Sequence, residues 1–145
     1  MSTEGNKALV RRFVGASSQE NLDALDELFA ENYVDHSSMA QGPGNGIEGI
    51  KQFTRMMHTA FPDSQWIIDD LIAEGDQVVM RWTSRGTHQG TALGIPATGR
   101  PVVVTGISIF RVSGGKLAES WQEVNMLGMM QQLGVIPAPA ETAAS

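Results

Sequence analysis

Cysteine is absent from the 145-residue chain, so disulfide bridges, thiolate metal sites and a cysteine nucleophile are all excluded. Long apolar runs are missing too. Nothing approaches the ~20 consecutive apolar residues of a membrane span, and the N-terminus MSTEGNKALV has no basic region followed by an apolar core. A soluble, cytoplasmic protein with no membrane partner is expected. Basic residues are few, ten against sixteen acidic ones for a net charge of -6, and they are scattered. Without an electrostatic footprint for a phosphate backbone, nucleic acid is not an expected partner. The nucleophile elbow and the glycine fingerprints for phosphates and dinucleotides are also missing; the run from Gly42 to Gly46 lacks both the preceding strand and the Lys-Ser/Thr of a phosphate cradle. No two histidines have metal-ligand spacing, so no metal site is expected. What remains is chain enough for one domain, 1–145, able to bury roughly 70% of its unfolded surface. Eight methionines are present, and their flexible thioethers suit either core gaps or an irregular apolar cavity.

The first half has helical periodicity. Leu9, Val10, Phe13 and Val14 share a face over residues 4–14, and the run from Gly15 to Ser18 interrupts that pattern. Ser18 or Asn21 can cap a second helix carrying Leu22, Leu25, Leu28 and Phe29. Residues 31–36 are too short for a helix and lead into a polar, glycine-rich loop over residues 37–46. A third helix is expected from Ile47 to about Ala60, with Ile50, Phe53, Thr54 and Met57 on one face and Pro62 beyond its end. After Pro62 the period falls to two, and strands are expected at 66–73, 77–87, 101–112 and 117–126. Helices followed by a meander of long strands specify an α+β fold with the helices on one face of a mostly antiparallel sheet. The tail from about 137 is rich in Ala, Pro, Thr and Ser and is expected to be disordered.

Candidate chemistry concentrates in residues 117–133. On a strand, Glu119, Trp121, Glu123 and Asn125 share one face, while Ser120, Gln122, Val124 and Met126 share the other. The first set is either a wet outer surface or the lining of a polar pocket. Glu123 and Asn125 stand ~7 Å apart, close enough to serve one reaction centre. A carboxylate in an apolar cavity can abstract a proton next to a carbonyl, whereas an amide only donates or accepts hydrogen bonds. Of the three histidines, His88 sits between glycines at the end of a strand, His36 follows Asp35 beside the glycine-rich loop, and His58 near a helix C-terminus reads as a solvated cap. Arg81 interrupts an apolar strand; it is either on a solvated face or in a pocket opposite Glu119 or Glu123.

Taken in order, several short motifs are specific: Tyr33-Val34-Asp35-His36, Gly46-Ile47-Glu48-Gly49-Ile50, Phe61-Pro62-Asp63, Gly86-Thr87-His88-Gln89-Gly90, Thr98-Gly99-Arg100, Glu119-Ser120-Trp121 and Gln131-Gln132-Leu133-Gly134. Over about residues 9–134 the chain resembles the SnoaL-like polyketide cyclases, also called ester cyclases, of the NTF2-like superfamily. The resemblance implies a cone with three N-terminal helices packed on a curved, mostly antiparallel sheet. It also implies a pocket lined by the third helix and the inner sheet face, no cofactor, and a homo-oligomer, dimer or tetramer, formed through the outer sheet face. A small hydrophobic or aromatic ligand is the expected partner, with His36, Phe53, Met57, Arg81 and Trp121 as substrate-binding candidates and a place in secondary metabolism.

Family cyclases close a ring by intramolecular aldol condensation, using one Asp at the end of the last strand as acid and base. The motif is Glu-x-Trp-x-x-x-Asp, followed by a Gln-Gln-Leu-Gly-type helix. Glu119 and Trp121 match it, and the Asp position holds Asn125. An amide cannot generate an enolate by titrating. Three expectations follow: an enzyme, lyase or isomerase, whose chemistry has moved to Glu123 or His88 with Asn125 holding the substrate oxygen; a binding module that has kept the pocket without catalysis; or a cyclase in which Asn125 positions water or substrate.

Overall fold

The computed structural model describes residues 2–37 and 46–137. Most of the expected loop over 37–46 and all but the first residue of the expected disordered tail lie outside the described residues. Helix α1 (Thr3–Ser18) starts at Ser2, whose Oγ accepts from the Gly5 N–H at 3.0 Å and satisfies one of the helix's unpaired donors. It continues through Gly15, where the sequence pattern had suggested a stop. Val14 and Ala16 are buried, and their burial outweighs the ~1 kcal/mol that a helical glycine costs. Asn21 caps α2 (Leu22–Leu28) through its side chain, one of the two expected caps.

Five strands follow the expected hairpins, with one addition. Strand β1 (Phe29–Asp35) comes before α3 (Ile47–Ala60); β2 (Gln65–Glu74), β3 (Gln77–Thr87), β4 (Pro101–Ser113) and β5 (Lys116–Val124) then run in series, and α4 (Met126–Leu133) closes the fold. The sheet order is β1-β5-β4-β3-β2. All pairings are antiparallel except β1 with β5, which is parallel, so the sheet is mixed and mostly antiparallel. The sequence did not reveal β1 because its only pairing is with the distant β5, and its alternation is broken between Phe29 and Val34, where the register shifts.

Strand parity decides which side chains meet the helices. On β3 and β4 the even-numbered residues Val78, Met80, Trp82, Ser108, Phe110 and Val112 are buried. Helix α1 lays Leu9, Val10, Phe13 and Val14 onto this surface. Phe13 sits edge-on to Phe29, Trp66 and Phe110 at centroid distances of 5.1, 5.4 and 5.7 Å, a preferred aromatic geometry. Helix α3 is less deeply seated: Thr54 and Ala60 are buried, whereas Phe53 is 49% exposed. Between α3 and the inner sheet face the packing leaves a void.

Candidate functional site: an apolar cavity under helix α3

The void is a cavity of about 180 Å³. Its walls are Phe13 of α1; Ile50, Phe53, Thr54 and Met57 of α3; Trp66 and Trp82 of β2 and β3; Val102 and Val104 of β4; Val124 of β5; and Met126 and Met129 at and after the start of α4. Small-molecule sites have this character, mostly apolar with a few fixed polar groups. Phe53 and Met57, expected here from the α3 face, do line the cavity.

The polar groups differ from those singled out in the sequence. His58 lines the cavity, and its Nε2 lies 2.7 Å from the Ser17 carbonyl oxygen. A carbonyl only accepts, so Nε2 carries the proton and Nδ1 of the neutral ring keeps its lone pair, with no protein partner among the described residues. Gln122 lines the opposite wall, and exposed Arg85 stands at the rim. Among the lining residues only His58 and Arg85 are titratable. Trp66 lines the cavity too, but its indole N–H is itself buried in the protein, without an acceptor among the described residues.

The other expected site residues lie elsewhere. Glu119, Trp121 and Glu123 stand on the outer face of β5, while Ser120, Gln122 and Val124 face inward. The outer reading of the polar face is therefore the observed one. Trp121 stacks on His36 at 5.1 Å between ring centroids, and His36 Nε2 meets Glu119 Oε2 at 2.7 Å. Arg111 and His36, in that order, hold the Glu119 carboxyl below its ordinary pKa. Arg81 is also outward, paired with Asp70 and at 3.9 Å from Asp69. A register shift between Ile68 and Asp70 helps to bring both acids to the face that carries Arg81, so Arg81 needs no partner on β5.

Asn125 serves as the N-cap of α4: its Oδ1 accepts from the Gly128 N–H at 3.0 Å, and its side chain is exposed. His88 is fully buried, stacked on the lining residue Phe61 at 5.3 Å. The Thr98 N–H donates to its Nδ1 at 3.2 Å, which places the neutral ring's proton on Nε2, and Nε2 has no partner among the described residues. Sequence reasoning missed His58 as a lining residue, although its α3 position one residue after Met57 was a usable signal. Gln122 was missed because Ser120 and Gln122 made the inner face of β5 look as polar as the outer one.

Among the described residues, no cluster of three or more His, Asp or Glu side chains could hold a metal ion, and no helix is long and apolar enough to cross a membrane. Helices packed on a five-stranded mixed sheet, with a mostly apolar cavity between them, define an NTF2-like α+β fold. Within that class the chain belongs to the SnoaL-like polyketide cyclase family, whose model matches residues 7–133. It is 27% identical over 128 residues to the aklanonic acid methyl ester cyclase DauD of Streptomyces sp. (strain C5), covering 87% of this chain and 80% of that one. The structure of TsrD from Streptomyces laurentii is similar at a TM-score of 0.84 and 32% identity, covering 94% and 99% of the two chains. AclR from Streptomyces galilaeus, whose suggested activity is hydroxylation, is similar at 0.84 and 27%, covering 97% and 87%.

Proposed function

We propose that the protein is a cofactor-independent acid–base catalyst of the cyclase type, acting on a small hydrophobic polyketide-like carbonyl compound held in the cavity. The observation that carries this reading is the placement of His58 among the lining residues of a mostly apolar cavity, with Nε2 held by the Ser17 carbonyl and no protein partner for Nδ1 among the described residues. Imidazole is the side chain best matched to proton transfer near neutrality. In this reading His58 abstracts the proton next to a substrate carbonyl, the enolate attacks a second carbonyl of the same molecule to form the ring C–C bond, and the imidazolium returns its proton to the resulting alkoxide; a diverged reaction would share the first step. The cap bond made by Asn125 supports the relocation, since that amide neither titrates nor is free of the helix end. Similarity to an ester cyclase and to a protein of suggested hydroxylase activity supports a shared cavity with variable chemistry.

The same cap bond favours a second reading, a binding protein that has kept the cavity without turnover. The two separate on one measurement. With an aromatic β-keto ester that carries a further ketone within ring-closing reach as substrate, His58→Gln keeps a donor for the Ser17 carbonyl and is expected to lower kcat roughly 10²–10⁴-fold. Equal turnover by parent and variant overturns the role of His58. Thermal stabilisation by the ester without product supports the binding protein. A homo-oligomer is proposed through the outer sheet face, where Val103, Ile107 and Trp121 are exposed.

A further inference from the structure

Behind the cavity wall runs a chain of hydrogen bonds that all point the same way. Trp82 Nε1–H donates to Ser108 Oγ at 3.0 Å, Ser108 donates to Gln122 Oε1 at 3.2 Å, and Gln122 Nε2–H donates to Asp35 Oδ2 at 3.0 Å. The Ser37 N–H closes the far end on Asp35 Oδ1 at 2.8 Å. An indole only donates and a carboxylate only accepts, so Ser108 has one way to orient and the Gln122 amide has one flip. Strand register sets up the contact: Gln122 is directly opposite Ser108, and Asp35 comes alongside through the parallel β1–β5 pairing, where it meets Ser120.

The geometry points to Gln122 as the group that docks and polarises a ligand carbonyl, with Asp35 as its positioning residue. Three observations converge. Gln122 lines the cavity, and only one of its two amide hydrogens is used by a protein acceptor among the described residues, leaving one for a ligand. Asp35 is buried to 6% exposure and is in none of the ion pairs among the described residues. Burying a carboxylate without a cation is costly, and here the group fixes a neutral amide at a cavity wall. Finally, no carboxylate is among the described residues that line the cavity, so nothing on its walls competes with a ligand for the Gln122 donor. An unused donor in a mostly apolar cavity selects a ligand with an acceptor oxygen, such as a ketone or keto ester, over a hydrocarbon of the same shape. This specificity rests on the cavity being the ligand site proposed above, but it does not depend on turnover.

The test uses the full chain and two probes, an ethyl 3-oxo-3-(2-naphthyl)propanoate labelled with ¹³C at the ketone and 2-pentylnaphthalene, which lacks both carbonyls. Calorimetry is expected to show that Gln122→Leu weakens the keto ester about tenfold or more while changing the hydrocarbon less than about twofold. The ¹³C carbonyl band of the bound ester shifts back toward its free frequency in Gln122→Leu, and part of the way in Asp35→Asn, a change that loss of packing alone does not produce. Equal weakening of both probes, or an unchanged carbonyl band, overturns the assignment. If Asp35→Asn does not fold, the Gln122→Leu pair of affinities still decides it. Discrimination between the probes, with no turnover by the parent of an aromatic β-keto ester that carries a further ketone within ring-closing reach, leaves Gln122 in place and removes the catalytic reading. Turnover that depends on His58 without discrimination at Gln122 does the reverse.

Discussion

At the scale of single residues, Gly106 shows how closely the cavity's support is fitted. It lies opposite Trp82 on one side and Val124 on the other, and a Cβ built there would come within 2.3 Å of the Trp82 ring. The indole cannot easily yield, because its N–H is committed to Ser108. Gly106→Ala is therefore expected to cost about 1–3 kcal/mol through overpacking, as measured by urea denaturation, with the near-ultraviolet circular dichroism of the indole altered in the native baseline. A variant as stable as the parent would mean that β4 relaxes away from the ring.

At the scale of elements, the end of β5 and the start of α4 form a single joint. Asn125 ends the strand and caps the helix, and its neighbours Val124 and Met126 both line the cavity. Asn125→Ala should lose about 0.5–2 kcal/mol of stability. Asn125→Asp should be neutral or slightly stabilising, since a carboxylate also caps and favours a helix N-terminus. Equilibrium unfolding of the two variants checks this, and equal losses would contradict the capping role. The same elements show what the sequence made legible. Helix α3 was readable to its ends because Ile50, Phe53, Thr54 and Met57 repeat at helical spacing and Pro62 follows. The β2–β3 and β4–β5 turns fall in the short gaps between the expected strands, at Gly75 and at Gly114-Gly115, all at positive φ, a conformation that glycine adopts without strain. The inward face of β5 was not readable. Parity there depends on the register shift between Arg111 and Val112, and a shift of one residue exchanges the faces of a strand. The site residues Gln122 and Asp35 depend on that parity and on a parallel pairing between distant segments, neither of which leaves a local pattern.

At the scale of the whole molecule, two surface carboxylates tie stability to acidity. Asp63 is held below its ordinary pKa by the Thr87 N–H and then by the Thr87 hydroxyl, both at 2.8 Å, and Glu119 by Arg111 and then His36. Each folded pKa is depressed, so the stabilisation is complete above the unfolded carboxylate pKa of about 4 and is lost as pH falls through the folded values. Asp63 is exposed and Glu119 is only partly buried, so solvent screening keeps the effect modest. The melting temperature should fall on acidification below pH ~4, less steeply in Thr87→Val combined with Arg111→Met; parallel curves would remove both carboxylates from the account. The distribution of the three tryptophans has a practical consequence. Trp66 and Trp82 flank the cavity, 6.0 Å apart and edge-to-face, whereas Trp121 lies on the opposite side of the sheet against an imidazole. The molecule therefore carries two separate optical channels. A ligand entering the cone perturbs emission from the indole pair, an event on the outer face perturbs the stacked one, and replacing Trp121 with Phe leaves a fluorophore set that reports on the interior alone.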